Sequence, residues 1–186
     1  MTLDEMKALP QDQQKAIIKH LKGIRQAYKT VNYSATYGVG AAKLARETGL
    51  TQSDAKGLLD AYWMRNHSVV KATESFVVKI VGNSMWLLNP VSGFWHNLRS
   101  EKDRFSTANQ STGVYCFDTW LFFCRKAGVK VAMQFHDEVG FYVPKVTSEF
   151  TEGVLKGAIS KTNDKLKLNV LLDIDVKLGE DYSQTH

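Results

Sequence analysis

The sequence predicts a mixed chain of the α/β (α+β) class, helical in its first half and carrying an antiparallel hairpin in its second. Arg25, Lys29, Tyr33 and Tyr37 recur every four residues, the spacing of one helix face. Apolar residues alternate on both sides of His136-Asp137-Glu138, as in two strands meeting at a tight turn. Hydrophobic residues make up 44% of the 186, which excludes a disordered chain and allows one real core or two small lobes.

The elements follow in order. After Pro10, which suits a first helical turn, Ile17, Ile18, Leu21 and Ile24 form an apolar stripe. Lone His20 reads as a surface residue, and Gly23 is expected to break the helix before Arg25. Gly38 and Gly40 allow a turn, and a short helix then closes at Gly49. Thr51 and Asp54 open the next helix. A further helix is expected to reach about residue 81, followed by a hairpin over 83–97 with turn residues Asn89-Pro90 and Ser92-Gly93. Residues 110–124 are apolar on nearly every face, the pattern of a buried helix. In the last segment Leu172, Ile174, Val176 and Leu178 alternate with Asp173, Asp175 and Lys177, which predicts a strand with one wet face.

Composition narrows the function. No apolar run approaches a membrane span, and the first residues lack a signal peptide's apolar region. Cys116 and Cys124 lie at helical spacing in one apolar segment, suggesting core residues in a reducing, cytoplasmic setting. A net charge of +5 permits nucleic-acid binding without requiring it.

The residues from Arg25 to Gly38 carry the chemistry. On a helix each four-residue step rises about 6 Å and drifts about 40°, giving a stripe about 18 Å long. Its cationic half suits a polyphosphate, and its aromatic half suits a sugar and base. The positive end of the helix dipole, at the Arg25 end, is expected to add to the attraction. An amphipathic helix whose polar face simply carries Arg and Lys would show the same spacing.

This pattern resembles motif B of the family A DNA polymerases, the class of bacterial DNA polymerase I. Arg25, Lys29, Tyr33, Tyr37 and Gly38 match it without a gap, and Thr30 follows the Lys as it often does there. The resemblance implies that Arg25 and Lys29 hold a deoxynucleoside triphosphate, with Lys29 a candidate acid for the departing pyrophosphate. It places Tyr33 beside the incoming sugar, and Tyr37 and Gly38 beside the templating base. Val129–Val143 is similar to the family's motif C, with Gln134 and Phe135 ahead of His-Asp-Glu. By that likeness Asp137 binds the catalytic Mg²⁺ pair, Glu138 assists, and His136 touches the primer strand. Gln110 is similar to a family Gln that contacts duplex DNA, whereas Lys102 and Ser106 stand where Arg and Asn are common. The resemblance spans roughly residues 20–186 and implies a partial right-hand polymerase. Residues 1–84 would be the helical fingers part, and 85–186 the palm part with the motif C hairpin.

One element is missing. Two-metal transfer needs carboxylates on both sides of the ion pair, and the family's second Asp comes from motif A, ahead of motif B. Residues 1–24 hold no such strand. Asp181-Tyr182-Ser183-Gln184 copies its first letters, but Gly179-Glu180 precede it and His186 stands where Glu belongs. The expectation is therefore one part of a split polymerase, in keeping with a bacteriophage and its host's cytoplasm. A second chain would carry thumb and motif A, and primer–template DNA and deoxynucleotides would bind the assembly. An inert nucleotide- or DNA-binding module, or a nuclease built on His136, Asp137 and Glu138, are the other classes. The triphosphate stripe speaks against the nuclease, and Asp137, less firmly, against the inert module.

Overall fold

The computed structural model describes residues 2–185; Met1 and His186, the latter set against motif A above, lie outside the described residues, as does the side chain of Ala27. The chain divides into two compact units, Met1–Leu88 with Trp95–Ala108, and Asn89–Phe94 with Asn109–His186. Among the described residues no helix is long and apolar enough to cross a membrane.

The first unit opens with α1 (Leu3–Lys7) and the long helix α2 (Gln11–Thr36), whose N-cap is Pro10. Gly23 does not break α2, contrary to the sequence expectation. One glycine in a helix interior costs only about 1 kcal/mol, and helix-forming residues flank it on both sides. Gly38 ends the helix instead, in the left-handed conformation at φ 70°. The Gly38 N–H bonds the Ala35 carbonyl at 2.9 Å, and the Val39 N–H bonds Ser34 at 2.9 Å, a full Schellman closure.

Then come α3 (Ala41–Thr48), stopped by Gly49 at φ 72°, α4 (Gln52–Arg65), capped by the Thr51 side chain, and α5 (His67–Glu74). Ala35, Leu44, Ala55 and Leu59 bury one another where α2, α3 and α4 pack, with Val31, Val39 and Tyr62 around them.

Helix α5 stops at Glu74, short of the expected residue 81. Val78-Lys79-Ile80-Val81 forms β1, because three β-branched residues in four favour the pleated conformation. It pairs antiparallel with β2 (Ser84–Leu88), which pairs with β3 (Trp95–Leu98) in the register Leu88↔Trp95. Leu87 and Leu98 bury against Ala108, in the first turns of α6 (Arg104–Lys126). Asn89 fastens the β2–β3 turn, its side-chain oxygen accepting the N–H groups of Val91 at 2.8 Å and Ser92 at 2.9 Å.

In the second unit α6 lies with α7 (Ser148–Leu166). Trp120, Leu121 and Cys124 meet Leu155, Ala158 and Ile159, and the Trp120 indole N–H donates to the Leu155 carbonyl at 3.3 Å. Burial pushes the Cys124 thiol up to about 11 and raises that of Cys116. Both are free thiols; Cys124 lies in the core as expected, whereas Cys116 is only half-buried. Helix α6 is not buried all round: Val114, Asp118 and Phe122, four residues apart, form an exposed line.

The remaining strands are β4 (Val131–Phe135) and β5 (Glu138–Phe141). A register shift between Val131 and Met133 interrupts the alternation that the sequence suggests. Val131 pairs with Phe141 on the core side, whereas Met133 pairs with Gly140 and Phe135 with Glu138 on the other. The last segment is not a strand either. Residues 171–179 carry no regular secondary structure, though Leu172, Ile174 and Val176 pack on the α6–α7 core.

Candidate active site

Helix α2 carries Arg25, Lys29 and Tyr33, with Tyr37 as its C-cap residue. All four are exposed, Tyr33 at 51% and Tyr37 at 42%. The Lys29 ammonium lies 5.5 Å from the Tyr33 ring centroid, an i, i+4 cation–π contact that joins the cationic and aromatic halves. The aromatic end is the anchored end. Next to Tyr37, buried Ala35 packs into the helical core, and Thr36 Oγ1 lies 2.9 Å from the Tyr62 hydroxyl.

Helix α2 also corrects the electrostatic expectation. It begins at Gln11, so Arg25 is nearly four turns inside it. Helix-dipole attraction falls off within the first turn and does not act at Arg25. Any anion held there is held by the Arg25 and Lys29 side chains.

Gly38 follows the stripe, constrained by its positive φ rather than by lack of space. A Cβ there would lie 3.6 Å from the Lys102 carbonyl oxygen. Lys102 thus approaches the stripe's end by its carbonyl and the aliphatic stem of its side chain; its ammonium pairs with Asp103 at 3.3 Å. Ser106 is occupied locally, donating to the Asp103 carbonyl at 3.1 Å.

In the second unit His136 and Asp137 are the two turn residues between paired Phe135 and Glu138. His136 has φ 51°, the left-handed conformation that two-residue hairpin turns demand. Its ring meets Phe135 edge-on at 4.6 Å. Asp137 is exposed, and Gln110 is exposed on α6.

Glu138 is engaged by Tyr182. The Tyr182 phenol is raised above its ordinary pKa, first by desolvation and then by its hydrogen bond to Glu138 and that carboxylate's charge. Tyr182 opens a 3-10 turn, Tyr182–Gln184, fastened from both sides. Asp181 accepts the Ser183 hydroxyl at 2.6 Å and its N–H at 2.9 Å, and Gln184 accepts the Glu180 N–H at 3.0 Å. The Ser183 bond holds the Asp181 carboxyl below its usual range. Gly179 makes room, since a Cβ there would fall 2.7 Å from that of Gln184. The stretch set aside as an imitation of motif A therefore has its own use. Only the tyrosine hydroxyl signalled it in sequence, because contact with Glu138 depends on the tail's folded path.

Exposed Asp137 on the turn, next to half-buried Glu138 at the start of β5, fits one side of a divalent-ion site. Among the described residues no three His, Cys, Asp or Glu side chains gather as a metal site.

No protein-family model matches the chain. It is 23% identical over 182 residues to the DNA polymerase I of Pseudomonas aeruginosa, covering 87% of this chain and 19% of that protein. Against the thermostable DNA polymerase I of Thermus filiformis it is 24% identical over 174 residues, covering 86% and 20%. The chain thus spans about a fifth of the length of these curated relatives. Its fold matches the POL domain of Pol1 from M. smegmatis, solved in complex with DNA primer–template and dNTP. The TM-score is 0.54 and the identity 18%, with 75% of this chain and 28% of that one covered. In sequence over most of its length, and in fold, this chain is similar to part of the family A DNA polymerases, the DNA polymerase I class.

Proposed function

We infer that these residues form the C-terminal part of a template-directed DNA polymerase, active when joined to a second chain. The observation that carries this reading is the exposed stripe Arg25, Lys29, Tyr33 and Tyr37 on one unbroken helix closed by Gly38. Such a surface has a use in gripping an incoming triphosphate and none in cutting DNA, so it favours polymerase over nuclease. In this reading residues 1–84 serve as fingers and 85–186 as palm. Arg25 and Lys29 neutralise the triphosphate, Tyr33 packs against the sugar, and Tyr37 and Gly38 border the templating base.

Asp137 would hold Mg²⁺ with help from Glu138, while His136 and Gln110 contact the primer–template. Bound there, Mg²⁺ supplies Lewis-acid stabilisation of the phosphoryl oxygens. The residues described here orient the substrates and hold the charges. The carboxylate opposite Asp137 lies outside these 186 residues, on the partner chain with the thumb. A bacteriophage origin and a cytoplasmic site of action complete the proposal.

Tyr33 gives a specific test. Its phenol can stand in for a hydrogen-bonding role otherwise filled by the nucleotide's own 3′-hydroxyl. The assembled enzyme should accept dideoxynucleotides readily, and Tyr33→Phe should discriminate against them by roughly tenfold or more, the worth of one hydrogen bond to a charged group. Competitive incorporation on a primed template measures the ratio. Equal discrimination by both proteins would remove Tyr33 from the sugar site.

A further inference from the structure

The β1–β2–β3 sheet of the first unit buries one face and leaves the other bare. On the inner side Leu87 and Leu98 meet Ala108, with Val78 and Met85 packed against them. Residues directly opposite one another in an antiparallel pair share a face. The register sets Lys79 opposite Trp86, Trp86 opposite Asn97, and Leu88 opposite Trp95, and these positions alternate with the inner ones. They line the outer face. Val77 flanks it, its carbonyl accepting the Leu88 N–H at 2.9 Å. Val77, Val81 and Trp95 are exposed there, and Trp86 and Leu88 are half-buried. A solvent-facing sheet side is ordinarily polar. This one is mainly apolar and aromatic, which marks a surface that something else covers.

Charge indicates the occupant. From Ser75 to Ser100 the sequence has no Asp or Glu, and the outer face carries Lys79 with exposed Arg99 just beyond β3. The Lys79 ammonium lies 3.8 Å from the Trp95 ring centroid, so a cation already rests on that ring. Trp86 and Trp95 are diagonal neighbours on adjacent strands, positions about 7–8 Å apart. Flat rings set among cations, with no acid nearby, suit a ligand that repeats a flat base and a negative phosphate. An exposed cation–π contact is weaker than a stacked base. A base can therefore take the place of Lys79 on Trp95 and release its ammonium to a phosphate. Bases paired in a duplex offer no free ring, so the strand must be unpaired. A second copy of this chain is a poor occupant, because face against face no register sets an acid opposite Lys79 or Arg99.

We propose that the outer face of the β1–β2–β3 sheet binds an unpaired nucleic-acid strand, whose bases stack on Trp95 and Trp86 while Lys79 and Arg99 meet its phosphates. The site shares no residue with the Arg25–Gly38 stripe or the His136-Asp137-Glu138 turn. It stands on the sheet's own chemistry and holds whether or not the chain completes a polymerase. Stacking accepts any base, so the site grips a strand without reading its sequence.

The test titrates the full chain with oligo-dT or oligo-U of about eight nucleotides, a usual length for one such platform. Backbone NMR signals of 77–88 and 95–99 should shift, together with the indole N–H signals of Trp86 and Trp95. Binding of either strand supports the proposal, and the ratio between them says whether DNA or RNA is preferred. Trp95→Leu keeps an apolar side chain but removes the ring, and should weaken binding by roughly tenfold or more, whereas Trp95→Phe should retain most of it. Lys79→Gln and Arg99→Gln, at exposed positions, should each lower the slope of log affinity against log salt by about 0.7 and leave the melting temperature nearly unchanged. Equal binding by the Leu variant would overturn the proposal, since an apolar docking surface for a protein would behave that way. So would equal binding of a duplex or of inorganic polyphosphate, shifts confined to α2 or absent at millimolar strand, or self-association through this face in sedimentation. No Mg²⁺, deoxynucleotide or second chain enters the experiment, so a failed polymerase reading would show separately, as an inert extension mixture with this site intact.

Discussion

Asp137→Asn should abolish metal-dependent primer extension by the assembled enzyme. Asparagine keeps the size of the side chain and removes its charge. The site would lose about 4 kcal/mol of transition-state stabilisation, roughly a thousandfold in rate. Fold and nucleotide grip should survive, because Asp137 is an exposed turn residue and the stripe belongs to another unit of the chain. Single-turnover extension over a range of Mg²⁺ measures the loss, and nucleotide binding by the same protein is its control. Near-normal turnover would rule out Asp137 as a metal ligand.

The second large effect is expected at Lys29. Its ammonium is one of two cations on the stripe, and no dipole attraction backs it, since α2 begins at Gln11. Lys29→Ala should slow incorporation by about a hundredfold to a thousandfold, the usual cost of one charge-stabilising donor, and weaken nucleotide binding as a separate effect. Lys29→Arg restores charge without the same reach and should recover binding more than rate. Loss of binding with kcat unchanged would make Lys29 a holding residue and no more.

The sequence was most legible where a pattern is local. Four-residue spacing put Arg25, Lys29, Tyr33 and Tyr37 on one helix, and the left-handed turn at His136 follows from strands closing in two residues. Turn chemistry at Gly38, Gly49 and Thr51 was equally readable. Failures came where distant structure or competing preferences decide. Gly23 reads as a break only until the helix on both sides outweighs it. Residues 78–81 read as more helix until their β-branched side chains find β2 as a partner. The shift at Val131–Met133 turns Met133 and Phe135 away from the core, and nothing local announces it. The last segment is the reverse case. Its alternation is strand-like and Leu172, Ile174 and Val176 pack as expected, though Leu178 stays exposed, but pairing needs a second strand that the described residues do not offer. The bond from Tyr182 to Glu138 was hidden for a similar reason, since their separation in sequence is bridged only by the folded tail.

The central claim is that this chain holds one side of a polymerase active site and borrows the other. Primer extension with labelled primer–template, deoxynucleotides and Mg²⁺ tests it most directly, using the purified chain alone and then mixed with a polypeptide bearing motif A. The account predicts no template-directed extension by the chain alone and extension by the mixture, silenced without dissociation when the partner's motif A Asp is changed to Ala. Robust template-directed extension by the chain alone would contradict it, and the second carboxylate would then have to be sought among Asp173, Asp175 and Asp181.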